Sequence, residues 1–287
     1  MHIEKRLRII FIITVCTSWL TFICNAQTLQ QTYAKADSLM QLGSYAQAEP
    51  MLKRLTYFST PATHTKIYAK AGACYEALQE YNLAAEHYSI AARFADSLPQ
   101  INTLLFNEVR ARTLEGNGVK ALSTLKQLEV LDSNEQKRYY LYTAVNYLLV
   151  NRQDSSIAYF TKLAATKNLH NSDAFLRIIK KHEKVNKPNP KTAKALSYIL
   201  PGAGQMYSGD VKNSINSLVI NGVFFTLFYN TAVTYSVVDA FIGVSGWTLR
   251  YYKGGAKTAY HIAEEKQREK RDKVLQQYIA FFAVAGL

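Results

Sequence analysis

Small and apolar residues recur at helical spacing through residues 28–170, and the whole pattern repeats about every 35 residues. The clearest stretch holds Gly72, Tyr75, Tyr81, Ala84, Tyr88 and Ala91, at positions 8, 11, 17, 20, 24 and 27 of a 34-residue frame. Steps of three and four place each set on one helix face, so the stretch predicts two antiparallel helices. The small residue in each lets the helices approach, and the large ones fill the space between them. A first unit reads the same way with Ala36, Leu39, Gly43, Tyr45, Ala48, Leu52 and Leu55; its Pro50 departs from the pattern and is tolerable only near a helix start. A third unit keeps Ala121, Leu125 and Leu128 in its second helix. Its first helix fits best with Ala111 and Leu114 as the small and large positions, which shortens the turn at Gly116-Asn117-Gly118 by two residues. The fourth unit offers Ala144, Tyr147, Ser156, Phe160 and Leu163. The small positions 48, 84, 121 and 156 are thus 36, 37 and 35 residues apart.

This frame resembles the tetratricopeptide repeat, over about half the chain. The resemblance implies an all-α fold: eight helices stacked as a right-handed solenoid over residues 27–185, with a concave groove lined by the first helix of each unit. Carried over position by position, the groove comprises Tyr33, Asp37 and Met40 from the first unit and Lys66, Ala69 and Glu76 from the second. Its mixture of aromatic and charged side chains suits an extended or helical peptide of a protein partner better than a small metabolite.

Beyond residue 185 the pattern changes. Lys187-Pro188-Asn189-Pro190 breaks the helical spacing and reads as a linker over residues 186–195. Asn213 to Val238 contains no charge, and Asp239 is the single charge before Arg250. That run is long for one untilted span and just sufficient for two spans of ~17 residues joined by a tight turn. A short transmembrane helical module over residues 196–255 follows, either as a hairpin turning near Asn230 to Ser236 or as one tilted span with a buried or interfacial helix after it. A charged helix with an apolar end closes the chain at 256–287. Asp239 is an interfacial residue if the hairpin turns just before it, and a functional candidate at mid-bilayer.

Ahead of this run stands Pro201-Gly202-Ala203-Gly204-Gln205-Met206-Tyr207-Ser208-Gly209-Asp210. The block resembles a bacterial membrane module with the pattern P-G-x-G-Q-x-Y-x-G, found in envelope proteins of the Bacteroidetes type and elsewhere joined to a membrane-protein insertion efficiency factor. The resemblance covers residues 191–265 and implies no particular activity. Pro201 and Gly202 are expected to stop a helix, Gly204 and Gly209 to permit tight backbone geometry, and Gln205 and Tyr207 to sit at the headgroup level. Either the motif is a turn that fixes how the module enters the membrane, or Gln205 and Asp210 form a polar recognition point.

The N-terminus supplies an address. Lys5, Arg6 and Arg8 precede an apolar run from Ile9 to Ile23, and Cys24-Asn25-Ala26 completes a secretory signal peptide over residues 1–26. Cleavage there removes Cys16 and Cys24, so Cys74 is left without a disulfide partner. Lys and Arg outnumber Asp and Glu by 34 to 21, but the excess gathers beside apolar segments rather than in one stripe, which marks membrane flanks and not nucleic-acid binding.

Searches for chemistry fail at definite residues. His182-Glu183 lacks a second His four residues on, and Trp247 stands where a nucleophile elbow needs its last Gly. No metal site, cofactor, small-molecule substrate or enzyme activity is expected. The expectation is a scaffold or adaptor of the Gram-negative envelope, anchored in the inner membrane with its repeats in the periplasm and binding other envelope proteins. The alternatives are an assembly or insertion factor acting through the membrane module, and an envelope hydrolase.

Overall fold

Helical spacing becomes helix throughout: the computed structural model describes residues 28–286, with fourteen α-helices and no strand among the described residues. The expected signal peptide, with Cys16 and Cys24, lies outside the described residues. The chain divides into two compact units, the first ending at Val130 and the second beginning at Leu131.

The first unit consists of three helix pairs: α1 (Leu29–Gln41) with α2 (Tyr45–Phe58), α3 (Pro61–Ala77) with α4 (Tyr81–Arg93), and α5 (Leu98–Leu114) with α6 (Gly118–Leu125). Each pair turns on three residues whose middle member has positive φ: Gly43 at 72°, Gln79 at 63° and Gly116 at 82°. Each turn closes with the same bonds. Gly43 N donates to Met40 O and Ser44 N to Leu39 O; Gln79 N donates to Glu76 O and Glu80 N to Tyr75 O; Gly116 N donates to Thr113 O and Asn117 N to Arg112 O. This closure satisfies the last carbonyls of the first helix and reverses the chain in the fewest residues. It also fixes the facing register, so Ala48, Ala84 and Ala121 are fully buried against their partner helices. Gly72 shows why small residues recur, since a Cβ on it would stand 2.9 Å from the Tyr88 ring.

The third pair corrects the sequence reading. Its turn is the same length as the others, and counting back from Gly116 puts Val109, not Ala111, at the small position. Leu114, expected as the large residue, is 52 % exposed. Arg112 occupies that place instead. It is buried, and its Nε donates to Glu108 Oε1 at 2.9 Å, where Thr124 Oγ1 also donates at 3.1 Å. A charged pair stands where the neighbouring pairs have Leu39 and Tyr75.

The second unit opens with a fourth pair, α7 (Ser133–Leu149) and α8 (Gln153–Ala165), whose turn carries Asn151 at φ 59° and the bond from Arg152 N to Tyr147 O. Across this pair Ser156 Oγ donates to Ala144 O at 2.7 Å. Then follow α9 (Asp173–His182), α10 (Pro190–Ile199), α11 (Ala203–Tyr207), α12 (Val211–Thr234), α13 (Val237–Gly243) and α14 (Ser245–Val284). Pro190 opens α10 rather than lying in a linker, with Asn189 Oδ1 capping the helix by accepting from Lys191 N and Thr192 N.

Of the described helices only α12 is long and apolar enough to cross a membrane, and of its residues only Ser214 and Asn221 are buried. The chain turns at Tyr235 and Ser236, and Asp239 N donates to Ser236 Oγ at the start of α13. No boundary separates the module from the charged C-terminal segment, because α14 runs unbroken through Gly254, Gly255 and Ala256. Its far end is buried: Val274, Tyr278 and Phe282 form one core with Phe160, Leu163, Phe175 and Ile178.

Candidate functional sites: a pocket on the helix pairs and the glycine motif

In the first unit, the six expected groove residues divide by what they touch. Tyr33 and Lys66 come together, with Lys66 Nζ 4.7 Å from the centre of the Tyr33 ring. Both line a pocket of about 300 Å³ together with the apolar Leu29, Leu55 and Ile67 and with Thr63. The other four are engaged within the unit. Asp37 is ion-paired with Lys70. Glu76 accepts from the Arg110 guanidinium at 2.8 Å and from Tyr88 Oη at 3.0 Å. Met40 and Ala69 are half-buried against the core. The usable surface is thus the apolar pocket at Tyr33 and Lys66; Leu29, Leu55 and Ile67 were readable as apolar positions but not as a cavity.

Cys74 is buried in the same unit, with Sγ donating to Tyr45 O at 3.4 Å. Burial first and Glu49 second push its thiol up to about 11, away from the thiolate needed for nucleophilic chemistry. Burial likewise pushes the Tyr75 hydroxyl up to about 12, helped by its 3.0 Å bond to Glu49 Oε1.

In the second unit, the P-G-x-G-Q-x-Y-x-G block folds α10, α11 and α12 against α14. Gly202 has φ 93°, and a Cβ there would meet Ser214 O at 2.5 Å, so both conformation and space demand glycine. The requirement at Gly204 is stricter: a Cβ would fall 1.9 Å from Ala193 O, a backbone atom of α10. Gly204 N donates to Ser197 Oγ at 3.1 Å, and Ser197 Oγ donates to Gln205 Oε1 at 3.0 Å. Gln205 Nε2 in turn donates to Gly255 O of α14 at 3.0 Å. The amide expected at the headgroup level is 1 % exposed and joins two helices.

Tyr207 is exposed, its hydroxyl accepting from Asn189 N at 3.2 Å. Gly209, at φ 79°, closes α11 with the bond pattern of the helix-pair turns, as Gly209 N donates to Met206 O and Asp210 N to Gln205 O. Asp210 then caps α12, accepting from Asn213 N at 3.0 Å and from Asn213 Nδ2 at 2.7 Å, which hold its carboxyl below the usual range. Pro201 occupies the bend between α10 and Gly202.

Sequence reasoning missed a second cavity in this unit. It lies between α12 and α14, measures about 680 Å³ and is lined by Asn213, Asn216, Ser217, Asn221, Arg250 and Thr258 among others. Its signal was present: four polar residues at intervals of three, one and four inside an apolar run. Among the described residues no group of three or more His, Cys, Asp and Glu stands close enough to hold a metal ion.

Compared with protein families, curated proteins and solved structures, the chain matches none.

Proposed function

We propose that the protein is an exported, membrane-anchored adaptor of the tetratricopeptide type that binds other proteins of the bacterial cell envelope, with its helix pairs on the periplasmic side of the inner membrane. One observation carries the reading: the chain that forms paired helices with an apolar pocket at Tyr33 and Lys66 also contains, in its second unit, an apolar helix whose surface its own fold leaves uncovered. Such a helix suits a lipid surround, and such a pocket suits one or two apolar side chains of a peptide, with the Lys66 ammonium placed for an acidic neighbour. The burial of Gln205 and its bonds to Ser197 and Gly255 within the fold favour the adaptor over an insertion factor acting through the motif.

The test is site-specific photocrosslinking in native membranes, with the photoreactive residue at Gln30 or Thr63 beside the pocket. Discrete adducts are expected, and Leu29→Asp or Lys66→Glu should abolish them while the protein stays in the membrane fraction. Adducts that form only from probes in the α12–α14 region would overturn the adaptor reading in favour of an insertion factor.

A further inference from the structure

The polar stripe of α12 faces a matching row on α14. Asn213, Asn216, Ser217 and Asn221 share one face of α12, and Arg250, Gly254, Gly255 and Thr258 share one face of α14, with the cleft of about 680 Å³ between them. Gly255 lets the walls meet, since a Cβ there would stand 2.9 Å from Ser217 Oγ. Asn221 is 2 % exposed, and its Nδ2 donates to Ser217 O at 2.7 Å. Its Oδ1 has no partner among the described residues, and neither has Ser217 Oγ. Buried polar atoms are rarely left this way without water or a ligand. Arg250 is the one charged residue among those lining the cleft, and no carboxylate lines it.

Position along the hairpin decides what the cleft meets. Phe224 stacks on Tyr251 with centroids 4.8 Å apart, and Phe225 meets Tyr252 at 6.2 Å. Thus α14 runs back beside α12 and brings Arg250, Lys253 and Lys257, all exposed, level with the middle of α12 rather than with its end. Were α12 to cross a bilayer, three cations would lie near the centre. Placed instead at the phosphates of one leaflet, they leave below them a tip whose Leu227, Val233, Val238, Ile242 and Leu249 are exposed. From the level of Arg250 to the turn at Tyr235 is about ten residues, or ~15 Å of helix, half of a ~30 Å hydrocarbon core. Asp239 is then the one charge held deep, and Ser236 Oγ donates to its carboxylate at 2.6 Å. A carboxylate and a Lys or Arg cost an inserted helix similar amounts, so one deep charge prevails over three. The shallow placement also keeps both basic flanks on one side, with no crossing to set against the positive-inside tendency.

We propose that α12, α13 and the start of α14 dip into a single leaflet, and that the cleft above this tip binds the phosphodiester of an anionic glycerophospholipid with a hydroxylated headgroup. Arg250 matches one phosphodiester charge. Headgroup hydroxyls supply donors to a wall with unused acceptors, whereas an ammonium headgroup would find no carboxylate. Ile220 and Trp247, which also line the cleft, give the acyl chains an apolar path that free phosphate would not use. The inference rests on the membrane-anchored reading above, though not on what the pocket at Tyr33 binds.

The experiment uses the full chain in two measurements. Native mass spectrometry after extraction from vesicles of mixed phosphatidylglycerol and phosphatidylethanolamine should show a retained phosphatidylglycerol adduct. Arg250→Gln should reduce it at least tenfold and Lys253→Gln less than twofold, and excess inorganic phosphate should not displace it. In the second, Ser236→Cys in oriented membranes should resist a membrane-impermeant maleimide from both sides, while Thr258→Cys reacts from the side of the helix pairs. An adduct that survives Arg250→Gln, selects phosphatidylethanolamine or is displaced by phosphate would overturn the lipid site. Labelling of Ser236→Cys from the opposite side would overturn the one-leaflet placement. A protein absent from carbonate-washed membranes would instead refute anchoring itself.

Discussion

Tyr278 lies flat on Phe160, with ring centroids 3.8 Å apart and planes 9° from parallel, and its hydroxyl meets His182 Nδ1 at 3.1 Å. The last turns of α14 thereby seal the open face of the α7–α8 pair, which would otherwise expose Phe160 and Leu163. The sealing piece comes from the same helix that starts in the membrane module. Tyr278→Ala should remove a fully enclosed ring and cost about 3 to 5 kcal/mol. Tyr278→Phe keeps the stack and loses one hydrogen bond, a change of about 1 kcal/mol. Denaturant melts of the detergent-solubilised protein would separate the two, and equal losses would show that the hydroxyl rather than the stack holds the end piece.

His182, enclosed beside that ring, gives the contact a pH dependence. Burial lowers its pKa to about 4 in the fold, against about 6.5 in an unfolded chain. Between these values the unfolded chain takes up a proton that the fold excludes, so stability is complete above pH 6.5, falls as pH drops toward 4 and levels off below. The full difference is about 3 kcal/mol. Melting temperatures at pH 7.5 and 4.5 should therefore diverge less in His182→Gln than in the unaltered protein. Carboxylates titrate in both proteins and cancel in the comparison, so an equal divergence would place the imidazole in contact with water.

Gly72 is set by Tyr88, whose hydroxyl donates to Glu76 Oε2 at 3.0 Å and so cannot swing the ring aside. In an open helix Gly→Ala gains about 1 kcal/mol. Here a Cβ 2.9 Å from two ring carbons should reverse the sign and give a net loss of about 1 to 3 kcal/mol. Gly72→Ala in a Tyr88→Leu background should be nearly neutral or stabilising. A double-mutant cycle on thermal stability measures the coupling, and simple additivity would refute the contact.

What could be read from the sequence follows from where the cause of each feature lies. Positions 48, 84, 121 and 156 were legible because the need for a small side chain arises within one helix pair and recurs. Unit three was not, because Arg112 stands at a packing position and a charged residue reads as exposed unless its partner is known; Glu108 lies one turn earlier and Thr124 on the next helix. Gln205 read as interfacial for a similar reason, since its burial depends on Gly255, fifty residues away. The apolar end after Gln277 could be judged only by length, as its partner Phe160 lies 118 residues earlier in the chain. Turn closure at Gln79 and Asn151 was hidden because neither is glycine. Periodicity reports a face, but not what the face meets.

The motif offers the sharpest contrast between neighbouring substitutions. Gly209→Ala meets no atom within 4 Å and pays only for its positive φ, about 1 to 2 kcal/mol. Gly204→Ala drives a Cβ to 1.9 Å from the Ala193 carbonyl oxygen, and since that atom is backbone, α10 and α11 must separate. Loss of folded protein is the expected result. Gln205→Ala leaves space, removes the acceptor of the enclosed Ser197 hydroxyl and breaks the link to Gly255 O, at about 1 to 3 kcal/mol. Gln205→Glu should be worse, because the carboxylate cannot donate to Gly255 O and brings a charge into the same enclosure. Thermal stability and limited proteolysis near Gly254-Gly255 would rank the four. The order expected, from mildest to most severe, is Gly209→Ala and Gln205→Ala within error of each other, then Gln205→Glu, then Gly204→Ala. If Gln205→Ala were as stable as the unaltered protein yet lost its crosslinked partner, the amide would have to turn outward in the working protein, and the motif would be a recognition point after all.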